Sequence, residues 1–255
     1  MSMGLRRLLP ALVAPLLVSA TEPRLVPDVS DTRVAIAYSF TGADLLLFGA
    51  IVYPDGRVPA HPPDIAVVVK GPAEPLLVRE KAKVAGIWMN HDSERFRSVP
   101  SFYALATTRP LAAIISPRTA AIYELGISNL LLSPASGGPA DQQRFAAGLV
   151  DLKRRSALYA EHVGDVSIQQ GALYRARVPV PARVPVGRYT AETFLIQDGR
   201  IVAIASRDID IDKTGFERFV ATAADRWPLT YALVAIALSL LLGWIAAALF
   251  RKRAR

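Results

Sequence analysis

The chain has 255 residues, of which 52% are hydrophobic, with a formal net charge of +8 and no cysteine. The lack of cysteine excludes disulfides, thiolate metal sites, a cysteine nucleophile and a lipid-modified cysteine anchor. Six basic residues lie at the two chain ends, so the excess charge predicts membrane topology and argues against nucleic-acid binding.

The first twenty residues have the pattern of an export signal. Arg6 and Arg7 precede an apolar run at 8–18, and small residues ending at Ala20 follow it. Eleven apolar residues rise only about 16 Å as a helix, roughly half of the hydrocarbon layer. We therefore predict that residues 1–20 are a cleaved signal peptide and that the body is periplasmic, with an uncleaved anchor as the alternative.

Residues 24–108 have the pattern of a β-sandwich. Short alternating or β-branched runs are separated by turn residues such as those at 54–57. The nearly continuous apolar run at 44–53 predicts a strand buried on both faces. Another strand is predicted at 84–89, with Trp88 supplying bulk to the core. The pattern predicts a mainly β fold, an immunoglobulin-like antiparallel β-sandwich.

Residues 109–160 predict a helical insertion into this β structure. Ser116 can cap a helix that has Pro117 at its first position and continues to Leu125. A second helix is predicted over 139–159, where apolar residues recur on one side.

Strands resume in a second β unit at 163–213. Asp198 and Gly199 lie between two strand-like runs, and an Asp-Gly pair in this position predicts a hairpin. This unit either forms a small sandwich of its own or completes the first one. Residues 214–226 predict a short juxtamembrane helix.

The segment 228–250 predicts a transmembrane helix. It contains no charged residue and would span about 34 Å as a helix, enough to cross a bilayer. The basic tail at 251–255 follows at once, with positive charges on Arg251, Lys252, Arg253 and Arg255. By the positive-inside rule, these charges predict a cytoplasmic C-terminus and a single-pass protein of the bacterial inner membrane.

Small residues recur every four positions within this segment, at Ala235, Ser239, Gly243 and Ala247. Small side chains at that spacing let a second helix approach closely, so they are candidates for a helix-packing face. The alternative is coincidence, since alanine, glycine and serine are common throughout the segment.

Few residues have a pattern that points to catalysis. His91, Asp92 and Glu94 form a compact group that could bind a metal or transfer protons, although such a group in a loop is more often solvated. Ser101 has no base near it in the sequence and is better interpreted as a turn residue.

Three aspartates alternate along a predicted strand at Asp208, Asp210 and Asp212. They could bind calcium, but calcium sites are usually built from loops, which favours an exposed strand face. We therefore predict no catalytic residue, no metal and no cofactor, and do not expect an enzyme.

Four motifs in order carry a resemblance to a known family: FTGADLLLFG at 40–49, VAGIWMN at 84–90, VPSFYA at 99–104 and VPVGRYT at 184–190. They resemble alphaproteobacterial transmembrane proteins of unknown function, over essentially the mature chain. The resemblance implies no reaction, cofactor or catalytic residue. Because members are often encoded beside a permease that resembles sulfite exporters, it implies an accessory role in transport. Tyr189 in the last motif is expected to hydrogen-bond a neighbouring loop, much as a tyrosine corner does.

The leading functional hypothesis is a membrane-anchored periplasmic interaction or accessory module. Its expected partners are the lipid bilayer and a membrane permease, and nucleic acid is not expected. A periplasmic sensor that binds a small molecule or ion is the alternative, and a hydrolase is less favoured.

Overall fold

The computed structural model of this chain describes residues 22–30, 32–36, 42–213, 220 and 223–251. The predicted signal peptide at 1–20 and the basic tail after Arg251 lie outside the described residues. So does most of the predicted juxtamembrane helix, of which residues 220 and 223–226 are described as helical.

Within the described residues, twelve strands form three sheets. The strands are β1 (Arg24–Val29), β2 (Arg33–Ile36), β3 (Gly42–Val52), β4 (Asp64–Lys70), β5 (Ala73–Val84), β6 (Ile87–Pro100), β7 (Tyr103–Thr107), β8 (Tyr159–Val163), β9 (Val166–Gln169), β10 (Leu173–Pro181), β11 (Gly187–Gln197) and β12 (Arg200–Lys213). The helices are α1 (Leu111–Ile114), α2 (Pro117–Ile122), a 3-10 turn (Ile127–Asn129), α3 (Pro139–Arg155) and α4 (Pro228–Arg251). The prediction of a mainly β fold with one apolar C-terminal helix is confirmed.

The two β regions of the sequence share both large sheets. The four-stranded sheet has the order β1-β3-β10-β9, and the six-stranded sheet has the order β2-β12-β11-β4-β7-β8. Because β3 pairs with β10 and β4 pairs with β11, the second region completes the first one and the chain forms one sandwich. Most pairs are antiparallel, but β2–β12 and β7–β8 are parallel, so the six-stranded sheet is mixed. An immunoglobulin-like topology stays a prediction.

Apolar side chains form two cores, one on each face of the six-stranded sheet. The first core lies between the two large sheets and includes Leu45, Leu47, Ile51, Val67, Val69, Val178 and Leu195. The second core lies on the opposite face, below α3 and the β5–β6 hairpin, and includes Val68, Phe96, Leu105, Phe145, Leu149 and Phe194. The central strand β4 is therefore buried on both sides, with Ile65 to Val69 no more than 1% exposed.

The prediction that the run at 44–53 is buried on both faces is wrong. In β3, Leu47 and Ile51 are buried, whereas Phe48 is 38% and Val52 49% exposed. Alternate side chains of a strand point to opposite faces, and only one face of this sheet packs against its neighbour across the sandwich.

Helix α2 begins as predicted and ends earlier. The Ser116 hydroxyl accepts a hydrogen bond from the Thr119 N–H at 3.2 Å, which confirms the predicted cap. The helix ends at Ile122, not at Leu125. The reason is local, since Glu124 adopts a left-handed backbone (φ 52°) that a helix cannot continue through.

Helix α3 also ends before its predicted limit. It stops at Arg155, because Ala157 adopts a left-handed conformation (φ 57°) of the kind that terminates helices. Tyr159, the last residue of the predicted helix, is instead a buried residue of β8, and its hydroxyl donates to the Pro100 carbonyl at 2.8 Å.

Alanine substitution at two glycines should have opposite effects on the stability of the fold. A Cβ at Gly49 would collide with the Val26 carbonyl oxygen and lie 2.8 Å from the Tyr174 ring, whereas at Gly148 on exposed α3 it would meet open space. We expect Gly49→Ala to lower the free energy of unfolding by about 1–3 kcal/mol, because β1 must move. Gly148→Ala should raise it by about 0.5–1 kcal/mol through helix propensity. Chemical denaturation of both variants in detergent micelles measures the pair, and equal shifts would contradict the close β1–β3 approach.

Candidate functional site

The β5–β6 hairpin extends the central strands of the six-stranded sheet. At its root, the Gly71 N–H donates to the Phe102 carbonyl and the Ser101 N–H donates to the Pro72 carbonyl, both at 2.9 Å. These bonds join the β5–β6 ladder to the β4–β7 ladder. Ser101 is therefore a buried residue at the hairpin root, 1% exposed.

Between its root and the Glu80–Asp92 pair, the hairpin is attached to α3 and to the loop before α3, which together form the helical layer. Arg144 of α3 contacts Glu80 and donates to the Asp92 carboxylate at 3.0 Å. Glu94 is buried, and its carboxylate accepts from the N–H groups of Ala135 (3.1 Å) and Ser136 (2.9 Å). These contacts bind the hairpin to α3 and to the loop that precedes it.

The structure separates the residues that the sequence grouped together as a possible metal or proton-transfer site. Asp92 pairs with Arg144, Glu94 turns toward the loop before α3, and His91 is an exposed extra residue at a β-bulge. Among the residues that the structure describes, no three histidine, aspartate or glutamate side chains are close enough to hold a metal ion together.

The far end of the hairpin is a tight turn where a strand was predicted at 84–89. Val84 pairs with Ile87, and both central residues have positive φ, 49° at Ala85 and 85° at Gly86. Two residues with positive φ are the geometry that joins twisted strands directly. The expectation that Trp88 fills the core is also wrong, because Trp88 lies just after this turn and is 67% exposed.

The alternating aspartates line the outward face of β12, as the sequence favoured. Asp208 and Asp210 are exposed, and each has a neighbour on β11. Thr190 donates to Asp208 at 3.3 Å, and Arg188 lies 3.7 Å from Asp210.

A cleft of about 970 Å³ opens at the end of the sandwich where β4 begins and β7 ends. Its lining combines apolar side chains of α1, β9 and β11 with polar groups of two loops, including His61, Asp64, Arg109, Ile168 and Asp198. Asp64 is largely buried and accepts hydrogen bonds from the Thr108 hydroxyl at 2.7 Å and from the Arg109 Nε at 2.9 Å. The Arg109 side chain remains 59% exposed.

Two opposing effects act on the pKa of Asp64. Burial raises the pKa, and the hydrogen bonds from Arg109 and Thr108, with the charge of Arg109, lower it. The net result is a pKa below its ordinary value, so the carboxylate is charged at neutral pH.

Asp64→Asn should remove part of the acid sensitivity of the fold. Because the folded-state pKa is depressed, the charged Asp64 adds stability that is complete at neutral pH and is lost as the pH falls through the folded pKa. The stability difference between wild type and variant should therefore shrink between neutral pH and about pH 2. Unfolding titrations at several pH values measure it, with Asp55→Asn in an exposed turn as the control. A difference that does not change with pH would contradict the Asp64–Arg109 interaction.

Helix α4 is the apolar helix predicted from the sequence. Within the described part of the chain it is the one helix long and apolar enough to cross a bilayer, with a mean hydropathy of 2.2 over Pro228–Ala246 and no buried residue there. On the predicted packing face, the Ser239 hydroxyl donates to the Ala235 carbonyl at 2.8 Å, and the space beside Gly243 is open. The side chain of Ala247 lies outside the described residues.

The family comparison agrees with this architecture. Residues 24–252 match the family model Alph_Pro_TM, described as "Putative transmembrane protein", and so nearly the whole chain from β1 to the end of α4 is included. The chain belongs to this family. The Alph_Pro_TM match confirms the resemblance that the four sequence motifs carry.

Two further comparisons add little to the Alph_Pro_TM assignment. No curated protein matches the sequence. A solved structure with some similarity is that of Spo0M, a sporulation control protein from Bacillus subtilis, at 10% identity and a TM-score of 0.28. The alignment covers 81% of this chain and 56% of the Spo0M chain, and a TM-score of this size carries no conclusion about fold or activity.

Sequence patterns identified Tyr189 correctly and missed the exposed hairpin end. The Tyr189 hydroxyl donates to the Pro185 carbonyl at 2.6 Å, as predicted for a tyrosine that holds a neighbouring loop. Ala85-Gly86 between two strand-like runs was an available turn signal, but alanine rarely has positive φ, so the pair resembled the interior of a strand.

Proposed function

We propose that this protein is a membrane-anchored interaction module whose β body lies in the periplasm and whose C-terminus lies in the cytoplasm. The observation that carries the proposal is α4, an apolar helix with no buried residue over Pro228–Ala246, attached to a β body with its own core. A helix of this kind holds the body at one membrane, where it meets the membrane proteins around it. A signal peptide at 1–20 would export the body, and the basic tail would keep the far end of α4 inside the cell.

The partner proposed for this module is a membrane permease, and the role is accessory to transport. Lipid tails are as apolar as leucine, so helices in a bilayer associate through close packing and not through burial of apolar surface. Ala235, Ser239 and Gly243 offer such a face, and the open space at Gly243 leaves room for another helix backbone. The β body offers a second region of contact outside the membrane.

Substitution at Gly243 tests the packing face directly. Gly243→Ile should lower the yield of a crosslinked membrane partner, because a branched side chain keeps the two backbones apart. Leu241→Ile, on the opposite side of α4, is the matched control and should leave the yield unchanged. Equal crosslinking in both variants would show that this face does not bind the partner. If repeated purification from gently solubilised membranes recovers no partner, the proposal of an interaction module is wrong.

The proposed topology has a separate test. A reporter that is active only in the cytoplasm, fused after Arg255, should be active, whereas activity restricted to a periplasmic reporter at the same position would contradict the orientation.

One observation favours a second candidate function, a periplasmic sensor for a small anion. Asp64 holds Arg109 through its Nε and Nη2 atoms at the edge of the 970 Å³ cleft, and more than half of the Arg109 side chain stays exposed there. A positioned guanidinium is well suited to a planar or tetrahedral oxyanion. Thermal-shift measurements with sulfate, sulfite and divalent metals should then show an anion response that Arg109→Gln abolishes and Arg118→Gln, outside the cleft, retains. No response to any anion would exclude this function.

A further inference from the structure

The hairpin tip, residues 81–91, carries an apolar face beyond the part of the hairpin that touches the body. Directly opposite residues of an antiparallel pair lie on the same face of the ladder. Ala82 opposite Met89 and Val84 opposite Ile87 therefore form one apolar face. Ile87 is 71% and Met89 50% exposed, so the body leaves this face uncovered.

The other face of the hairpin tip combines an aromatic ring with positive charge. Lys83 lies opposite Trp88 in the ladder. Lys81 and Lys83 are the formally charged residues between Glu80 and Asp92. Both are exposed, and within the described residues neither has a carboxylate at salt-bridge distance. The two acidic residues that border the tip contact Arg144, which leaves the tip itself with a charge of +2.

Backbone pairing continues to the end of the hairpin tip. The ladder continues to the Val84–Ile87 pair, and the two-residue turn at Ala85 and Gly86 closes it. The ladder therefore presents four apolar side chains on one face and a tryptophan on the other in a defined register. Contiguous exposed apolar surface of this kind marks a binding region.

The hairpin root and the end of β12, after which the linker to α4 follows in the sequence, lie at the same end of the six-stranded sheet. Pro72 lies beside Gly187, and Gly187 pairs with Ile211 near the end of β12. Residues 220 and 223–226 of the linker at 214–227 are helical, so the linker is shorter than the roughly 50 Å of a fully extended chain. The 12 residues of β5 can span about 40 Å. The hairpin tip and the membrane that holds α4 are therefore within reach of each other.

We propose that the hairpin tip inserts into the interfacial layer of an anionic bilayer and is a second membrane contact besides α4. Tryptophan favours the membrane interface, apolar side chains enter the upper acyl region, and lysines attract anionic headgroups. The tip extends about 13 Å past the Glu80–Asp92 pair, enough for the 5–10 Å depth that interfacial elements occupy. This contact requires only lipid and does not depend on the proposed permease partner.

Tryptophan fluorescence of the full chain in vesicles tests the contact. Trp227→Phe and Trp244→Phe together leave Trp88 as the single tryptophan. In vesicles of phosphatidylglycerol and phosphatidylethanolamine, Trp88 emission should shift to the blue, be quenched by brominated acyl chains and be protected from aqueous iodide. Each lysine near an anionic surface strengthens association about fivefold, so Lys81→Gln with Lys83→Gln should lower the ratio of inserted to free tip by about 25-fold. In vesicles of phosphatidylcholine, the ratio of inserted to free tip of the unsubstituted hairpin should fall by a similar factor.

A tryptophan lower on the same hairpin is the matched control. A variant with Trp88→Phe, Trp227→Phe, Trp244→Phe and Leu77→Trp has its single tryptophan at position 77. This position lies nearer the hairpin root than the Glu80–Asp92 pair, and Leu77 is 46% exposed there. This tryptophan should be quenched by iodide and little affected by brominated lipid. Trp88 that stays open to iodide, or equal bromine quenching at both positions, would overturn the proposal. Trp88 protected from iodide without bromine quenching would show that a protein or a second copy covers the tip, which also overturns it.

Discussion

Placing two arginines in the middle of α4, as Leu238→Arg with Leu241→Arg, should release the protein from the membrane. Each charge at the centre of a transmembrane helix costs about 2.5–3.5 kcal/mol on insertion scales, so the pair costs about 5–7 kcal/mol. No other residue of the described helix offers a compensating carboxylate, since Pro228–Ala246 contains none. The variant should move from the membrane pellet into the fraction that carbonate extracts.

The control for this variant keeps the helix and removes only side-chain bulk. Leu238→Ala with Leu241→Ala leaves α4 without charge, so the protein should remain resistant to carbonate. If the arginine variant also resists extraction, α4 is not the segment that anchors the protein, and the alternative of an uncleaved anchor at residues 1–20 is favoured. The hairpin tip cannot substitute for α4 in this test, because an interfacial contact with two lysines is sensitive to carbonate and salt.

Phe96→Ala should be the most destabilising of the aromatic truncations on the hairpin. Phe96 is fully buried in the second core, where it joins the hairpin to the helical layer. Truncation of a buried phenylalanine costs about 3–5 kcal/mol, because transfer energy is lost and a cavity remains. Chemical denaturation of the full chain in detergent micelles measures the loss.

Trp88→Ala on the same strand is the matched comparison. Trp88 is larger than Phe96 but 67% exposed, so its truncation should change the free energy of unfolding by no more than about 0.5 kcal/mol. Similar losses in the two variants would mean that Trp88 packs against the body, and would remove the basis for a free hairpin tip.

Phe96 and Trp88 also show that the burial of a strand residue could not be predicted from the sequence. Both are aromatic residues of β6, and the residues beside them in the sequence do not show which of the two is buried. Their burial differs because α3 and the loop before it cover the hairpin only as far as Arg144. How much of the hairpin is covered depends on where α3 begins, and α3 begins more than forty residues after either aromatic residue.

The residues of the candidate sites also show that neighbours in the sequence need not be neighbours in the fold. His91, Asp92 and Glu94 are neighbours in sequence, but the ladder, the bulge at His91 and Arg144 direct them to different surroundings. Asp64 and Arg109 are far apart in the sequence and carry no motif, yet the β4–β7 pairing brings them together at the cleft.

Sequence by itself determined the features that depend on contiguous residues. The apolar length of α4, the Ser116 cap of α2 and the Asp198-Gly199 hairpin follow from lipid thickness, a local hydrogen bond and tolerance of positive φ. Only the tertiary structure decided that one sandwich unites both β regions, that β4 and not β3 is covered on both faces, and that Trp88 is outside. The physical reason is that an apolar side chain gains the same free energy against any apolar surface. Which surface reaches it is therefore set by the pairing of distant strands and by the place where the helical layer ends.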